Sequence, residues 1–234
     1  MSYLNVSNLS FFYDQEKVLD NINFEINPGE FVILTGENGA AKSTLIKNVL
    51  GLLKPATGTV TLAKKNYQGK KLTVGYIAQN INSFNAGFPS TVQKFVESGR
   101  YVKGKWFKKL DDNDLAHVER ALKSVGMDNL RYKKIGELSG GQKQRINLAR
   151  TFATDPDFFI LDEPTNGMDI ESRRSFYQLL QHAARVHQKA ILMVTHADKE
   201  IDGFYDREIR LVREVGTQWR CFSMTSSSEH SLQD

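Results

Sequence analysis

The apolar run Phe31-Val32-Ile33-Leu34 passes through Thr35 into Gly36-Glu37-Asn38-Gly39-Ala40-Ala41-Lys42-Ser43-Thr44, and then into a stretch whose Leu45, Ile46, Val49 and Leu50 share one helical face. A continuous apolar run of this length reads as a strand covered on both sides, which belongs to a sheet with helices packed on it. The Gly51 to Gly58 segment, with Pro55 inside it, ends the helix. Strand, glycine-bearing loop and helix in this order gather successive backbone N–H groups and a helix N-terminus around one concavity, a cradle for phosphate. In that cradle Lys42 reaches the phosphates as a mobile point charge, and the Ser43 hydroxyl is placed to ligate Mg²⁺. Ala41 departs from the usual pattern, which has glycine immediately before the lysine. If the position requires a positive φ, the methyl group costs about 1–2 kcal/mol. Taken alone, the stretch is also compatible with an ordinary strand-to-helix turn.

The flanking chain fits an α/β sheet. Ile22, Phe24 and Ile26 alternate with polar neighbours, as in a half-exposed strand, and Pro28-Gly29 marks a turn. Strands are predicted at Thr59 to Leu62, Val74 to Ile77, Phe158 to Leu161 and Ala190 to Thr195. Between about 80 and 152 helical spacing dominates: Leu115, Val118, Leu122 and Val125 form a stripe ending at Gly126, a candidate C-cap. A crossover helix follows, with Phe176, Leu179, Leu180 and Ala183 on one side. The pattern predicts one α/β domain over 1–217 with a helical subdomain inserted at about 80–152, then a short polar tail over 218–234, frayed from Thr225 onward.

Composition excludes several classes. The 31 Lys and Arg against 27 Asp and Glu leave a net charge of only +4, too mild to indicate a nucleic-acid surface. The single cysteine, Cys221, rules out an internal disulfide framework and a cysteine zinc site, and fits a reducing compartment. No apolar run approaches the roughly 20 residues of a membrane span, and no secretory signal is visible, so any membrane role is expected to come through a partner. His117, His182, His187 and His230 show no clustering with cysteine and read as surface residues.

Further motifs give the phosphate loop its context. They are Gly75-Tyr76-Ile77-Ala78-Gln79, then Leu138-Ser139-Gly140-Gly141-Gln142 followed by Lys143-Gln144-Arg145, then Phe158 to Leu161 leading into Asp162-Glu163-Pro164-Thr165, then Gly167-Met168-Asp169, then Val194-Thr195-His196. Asp162, an acceptor-only carboxylate at the end of an apolar strand, is suited to hold Mg²⁺ opposite Ser43, and Glu163 to polarise a water. Ser139 before two glycines reads as an N-cap on an open helix end, a second anion site.

From about Ser7 to Val212 the order and intervals of these motifs resemble the ATP-binding cassette (ABC) ATPases. The resemblance implies a P-loop NTPase core with an antiparallel β subdomain and the inserted helical subdomain. It also implies Mg-ATP hydrolysis by a homodimer that sandwiches two nucleotides head to tail. The loop Gly36, Glu37, Asn38, Gly39, Ala40, Ala41, Lys42, Ser43 and Thr44 would bind ATP, and Tyr13 would stack on adenine, with core packing beside Phe11 and Phe12 as its rival role. Ser43, Gln79 and Asp162 would serve Mg²⁺, and Glu163, His196 and Gln79 the catalysis. Leu138, Ser139, Gly140, Gly141 and Gln142 would form the signature that touches the other subunit's ATP, with Asp169 linking the two sites.

Such a chain is expected to power an importer at the cytoplasmic face of the membrane, docked to an integral permease and served by an extracellular metal-binding protein. The stretch Ser83 to Val92, Ser98-Gly99-Arg100-Tyr101 and the Ala40-Ala41-Lys42 loop look like those of zinc and manganese importers, zinc foremost, with manganese or iron as alternatives. The basic, aromatic segment Arg100 to Lys109 faces the permease or anionic lipid, or is a solvated loop. A cassette ATPase acting on nucleic acid or the ribosome is the remote alternative, and the charge provides no basic stripe for it.

Overall fold

The computed structural model describes residues 1–78, 89–101, 109–166, 168–196, 199–213 and 221–228. The chain opens with a hairpin of β1 (Leu4–Tyr13) and β2 (Glu16–Ile26), then β3 (Phe31–Gly36) and helix α1 (Lys42–Val49). β4 (Thr57–Leu62) and β5 (Val74–Ile77) precede three helices, α2 (Val92–Glu97), α3 (Asp112–Ser124) and α4 (Gly140–Ala153). The sheet then resumes with β6 (Phe158–Asp162), α5 (Ile170–His187), β7 (Ala190–Val194), β8 (Arg207–Arg213) and β9 (Phe222–Ser228).

Among the described residues these strands form one sheet in the order β4-β1-β2-β9-β8-β3-β7-β6-β5. β8, β3, β7, β6 and β5 are mutually parallel, whereas β1 pairs antiparallel with both β2 and β4. β9 joins the two blocks, lying antiparallel to β8 and parallel to β2. Within the polar tail expected over 218–234, the fraying expected from Thr225 onward is corrected for Thr225 to Ser228, which continue β9 opposite Arg210 to Arg207. Ladder bonds to β8 add to the burial of Phe222 in the core, with Met224 packed against it, so the polar residues that follow are no bar to strand formation.

Alternation along the central strands divides the core into two layers. Phe31, Ile33, Phe159, Leu161, Ile191 and Met193 face one way, against Ile146 and Leu148 of α4 and Phe176, Tyr177 and Leu180 of α5. Phe95 and Val96 of α2 join them with Val118 and Leu122 of α3, so the helices between β5 and β6 share this layer. Val32, Leu34, Phe158, Ile160, Leu192 and Val194 face the other way, against Leu45, Ile46 and Val49 of α1 and Leu4, Leu19 and Phe24 of the hairpin.

The predicted helical stripes need two adjustments. Val118, Leu122 and Val125 are buried and Gly126 follows with φ +65°, the left-handed residue expected after a helix, but Leu115 is 40% exposed. It lies in the first turn after the Asp111–Asp114 capping box, beside a shallow groove with Gln93 and Arg131. In α5 the buried residues are Phe176, Tyr177, Leu180 and Ala184, so the buried face is turned relative to the expected one and leaves Leu179 and Ala183 half-buried.

Candidate active site

Three adjacent parallel strands deliver the reactive groups to one edge. β3 pairs with β7 and β7 with β6, in a register that sets Leu34 and Asp162 on either side of Val194. The turns leaving these strands at their carboxyl ends are therefore neighbours, the usual position for a site in an open α/β sheet. They carry the loop 36–44, the pair Asp162-Glu163 and the pair Thr195-His196.

The first turn is tightly built. At Gly36 a Cβ would stand 2.9 Å from the Leu211 carbonyl oxygen and 3.0 Å from the Ala40 Cβ, so only glycine fits this approach to β8. Glu37, Asn38 and Gly39 are exposed at the tip, and Ala40 is buried, its N–H donating to the Glu37 carbonyl at 3.0 Å. Ala41 adopts φ 57°, ψ 19°, so the left-handed geometry that would favour glycine is present and the alanine carries the strain. It occupies the N-cap of α1 and supplies no side-chain cap, so the first helical N–H groups are not engaged by a capping side chain.

Lys42 is only 7% exposed, and its Nζ donates to the carbonyls of Gly36 at 2.8 Å and Glu37 at 3.1 Å. Burial pushes its ammonium below the usual lysine range, against the pull of the Glu163 and Asp162 carboxylates. The exposed Ser43 approaches Asp162, Oγ to Oδ2 at 3.5 Å, and Thr44 is buried behind it. Asp162 is 5% exposed; burial and the adjacent Glu163 raise its pKa, opposed by Ser43, Lys42 and Lys47. A hydroxyl and a desolvated carboxylate facing one another are hard oxygen donors of the kind Mg²⁺ takes.

Glu163 also has a left-handed backbone, φ 49°, and its N–H donates to the Val194 carbonyl at 3.0 Å. Its Oε1 lies 3.3 Å from Nε2 of the half-exposed His196, and its Oε2 accepts from Asn166 Nδ2 at 2.8 Å. With Thr165, Met168, Arg173 and Thr195 these residues line a cavity of about 130 Å³. From α4, Gln144 Nε2 donates to the carbonyls of Pro164 at 2.8 Å and Glu163 at 3.4 Å. Sequence reasoning assigned no role to Gln144 or Asn166. Gln144 lies inside the quoted motif, but nothing in the sequence indicates which backbone its amide reaches.

The remaining predicted residues stand apart. Leu138 anchors the start of α4 in the core, while Ser139 and Gly140 are exposed. Ser139 is the N-cap expected of it: its Oγ accepts from the Gln142 N–H at 3.3 Å and its own N–H donates to Gln142 Oε1 at 3.0 Å. Gly141 lies in the same first turn. Asp169 caps α5, accepting from the Ser172 N–H at 2.8 Å and hydroxyl at 2.9 Å. Tyr13 ends β1 with 45% of its surface exposed and its ring edge-on to buried Phe11 at 4.9 Å, so its ring is not enclosed in the core. Gln79 lies outside the described residues, as do residues 83–88 and 102–108 of the two segments singled out above and Gly167.

A family model described as "ABC transporter" matches residues 19–166. The zinc transport system ATP-binding protein AdcC of Streptococcus pneumoniae is 54% identical over 229 residues, spanning 98% of each chain. The high-affinity zinc uptake system ATP-binding protein ZnuC of Bacillus subtilis is 51% identical over 229 residues, spanning 98% of this chain and 99% of that protein. Among solved structures, a dimeric bacterial ABC transporter cassette superposes with a TM-score of 0.72 at 25% identity, over 88% of this chain and 93% of the other. The chain belongs to the ABC transporter family, as one of its ATP-binding cassettes.

Proposed function

We propose that this chain is the ATP-hydrolysing subunit of an importer for a divalent metal ion, zinc, working at the cytoplasmic face of the membrane through a separate permease. The metal reading is carried by near-full-length alignment, at 54% and 51% identity, to two ATP-binding proteins of zinc systems. The ATP reading is supported by Lys42, Ser43, Asp162, Glu163 and His196 converging at one strand edge.

Lys42 exchanges the Gly36 and Glu37 carbonyls for phosphate oxygens, while the N–H groups around Ala41 and the start of α1 receive the phosphates. Ser43 and Asp162, with Gln79, hold Mg²⁺, which when bound neutralises phosphate charge. Glu163 is the base that takes a proton from the attacking water, His196 donates to the γ-phosphate, and Tyr13 stacks on adenine. Ser139 and Gly141 reach the γ-phosphate held by a second copy, with Leu138, Gly140 and Gln142 shaping that helix end and Asp169 linking the paired sites. Closure around ATP and reopening after hydrolysis form the mechanical cycle. It is delivered to the permease through the helices at about 80–152, a subdomain inserted in the domain 1–217, and an extracellular metal-binding protein supplies the cargo.

The test is elemental mass spectrometry of metal-limited cells carrying either the wild-type gene or only Glu163→Gln. A selective fall in zinc is expected with the variant. A fall in manganese or iron moves the chain to a sister system, and unchanged metals remove the metal reading while leaving the cassette ATPase.

A further inference from the structure

The left-handed turn at Glu163 costs a non-glycine residue about 1–2 kcal/mol and persists only where its surroundings impose it. Its turn is held from both sides: the Val194 carbonyl accepts the Glu163 N–H at 3.0 Å, and Gln144 of α4 donates to the carbonyls of Pro164 at 2.8 Å and Glu163 at 3.4 Å. Another contact acts on the carboxylate itself. Asn166 Nδ2 donates to Oε2 at 2.8 Å, while Oε1 faces His196 Nε2 at 3.3 Å. The two oxygens are thus differentiated, one tied to an amide in its own turn and the other directed to the histidine.

We propose that Asn166 is a positioning residue for the catalytic carboxylate, holding Oε2 so that Oε1 remains the oxygen presented to the attacking water. The proposal rests on the reading of Glu163 as the base. When His196 turns to the γ-phosphate, Oε1 loses its present neighbour, whereas the Asn166 bond lies within the turn and stays in place. An amide suits this task because it donates to a carboxylate without neutralising it. A lysine or arginine would form an ion pair competing with the proton to be taken, and a carboxylate would repel Glu163. Fixing one oxygen removes a rotational freedom that a water-activating group would otherwise have to lose during the reaction.

The experiment measures steady-state ATP hydrolysis by the purified full chain. Asn166→Ala is expected to lower kcat about tenfold, the scale of one hydrogen bond to a charged group, with the KM for Mg-ATP unchanged. Asn166→Asp is expected to fall further, since it removes the donor and adds a like charge. A residue that merely shaped the turn would accept aspartate as readily as asparagine. Combined with Glu163→Gln, Asn166→Ala should lower the residual rate no further, because its effect passes through Glu163. In that background the ATP-driven dimer should persist by size exclusion, a readout independent of turnover that also verifies folding.

Wild-type kcat in Asn166→Ala, a higher KM at unchanged kcat, an active Asn166→Asp, or a further tenfold loss on top of Glu163→Gln would each overturn the proposal. The underlying reading fails separately, and takes the proposal with it, if Glu163→Gln alone hydrolyses ATP at the wild-type rate.

Discussion

The two helix N-termini proposed to meet phosphate are built in opposite ways. The start of α1 is recessed against the sheet, has no capping side chain, follows a strained alanine and has a buried lysine folded onto its loop carbonyls. The start of α4 is exposed, strain-free at Ser139 with φ −65° and ψ 164°, and closed by a reciprocal capping box with Gln142. The first has a cation and uncapped donors in place before any ligand arrives. The second is held by its own capping box, in which the Ser139 hydroxyl accepts from the Gln142 N–H and keeps its proton for an acceptor outside the chain. The difference fits a division of labour in which α1 binds nucleotide within one chain and α4 engages only when a second chain brings its nucleotide close. Preorganisation at α1 favours affinity within one chain, whereas the exposed end of α4 has no buried cation beside it among the described residues and depends on the nucleotide a second chain would bring.

The largest expected effect is at the recessed end. Lys42→Ala removes a buried cation from the phosphate cradle and should weaken ATP binding about a hundredfold, measured by nucleotide titration of the isolated chain. An unchanged titration would mean that α1 is no more prepared for anions than α4.

At the exposed end the same titration should be unaffected. Ser139→Ala removes the hydroxyl proposed to reach the other subunit's nucleotide, so it should leave ATP affinity of the monomer intact while weakening ATP-driven dimerisation about tenfold, by sedimentation or size exclusion. Loss of the cap should also reduce stability by about 1 kcal/mol. If Ser139→Ala instead weakened ATP binding by the monomer, the two helix ends would be parts of one intrachain site.

The smallest effect concerns the strain. Ala41→Gly relieves the left-handed alanine but frees the unfolded chain, so a net gain of up to about 1 kcal/mol in stability is expected with ATP affinity unchanged, read by thermal melts with and without nucleotide. A loss of stability would show that the Ala41 methyl contributes packing that outweighs its backbone cost.

Much of this contrast was legible in the sequence because it is local. The start of α1 at Lys42, the N-cap at Ser139 and the left-handed glycine at 126 depend on residues within a few positions, and short-range sterics and hydrogen bonds decide them. The central strands were equally legible, since runs such as Phe158 to Leu161 are apolar throughout. β9 was not, because Ser223 and Thr225 to Ser228 carry little apolar signal and the strand depends on pairing with β8 and on the core that encloses Phe222. Leu115 shows the converse: its spacing places it on the stripe of α3, yet the neighbouring elements do not extend over that first turn.

By itself the sequence determined the local parts: a phosphate loop between an apolar strand and a helix, a capped second helix end, an acidic pair after a strand and a histidine after another. Only the tertiary structure brought Ser43 to within 3.5 Å of Asp162, 119 residues away, by ordering β3, β7 and β6 as neighbours. It alone placed Gln144 of α4 against the Glu163 turn, 20 residues along the chain at Pro164. The physical reason is one of range. Backbone torsions and caps answer to adjacent residues, whereas strand order, burial and the raised pKa of Asp162 depend on which distant surfaces exclude water together.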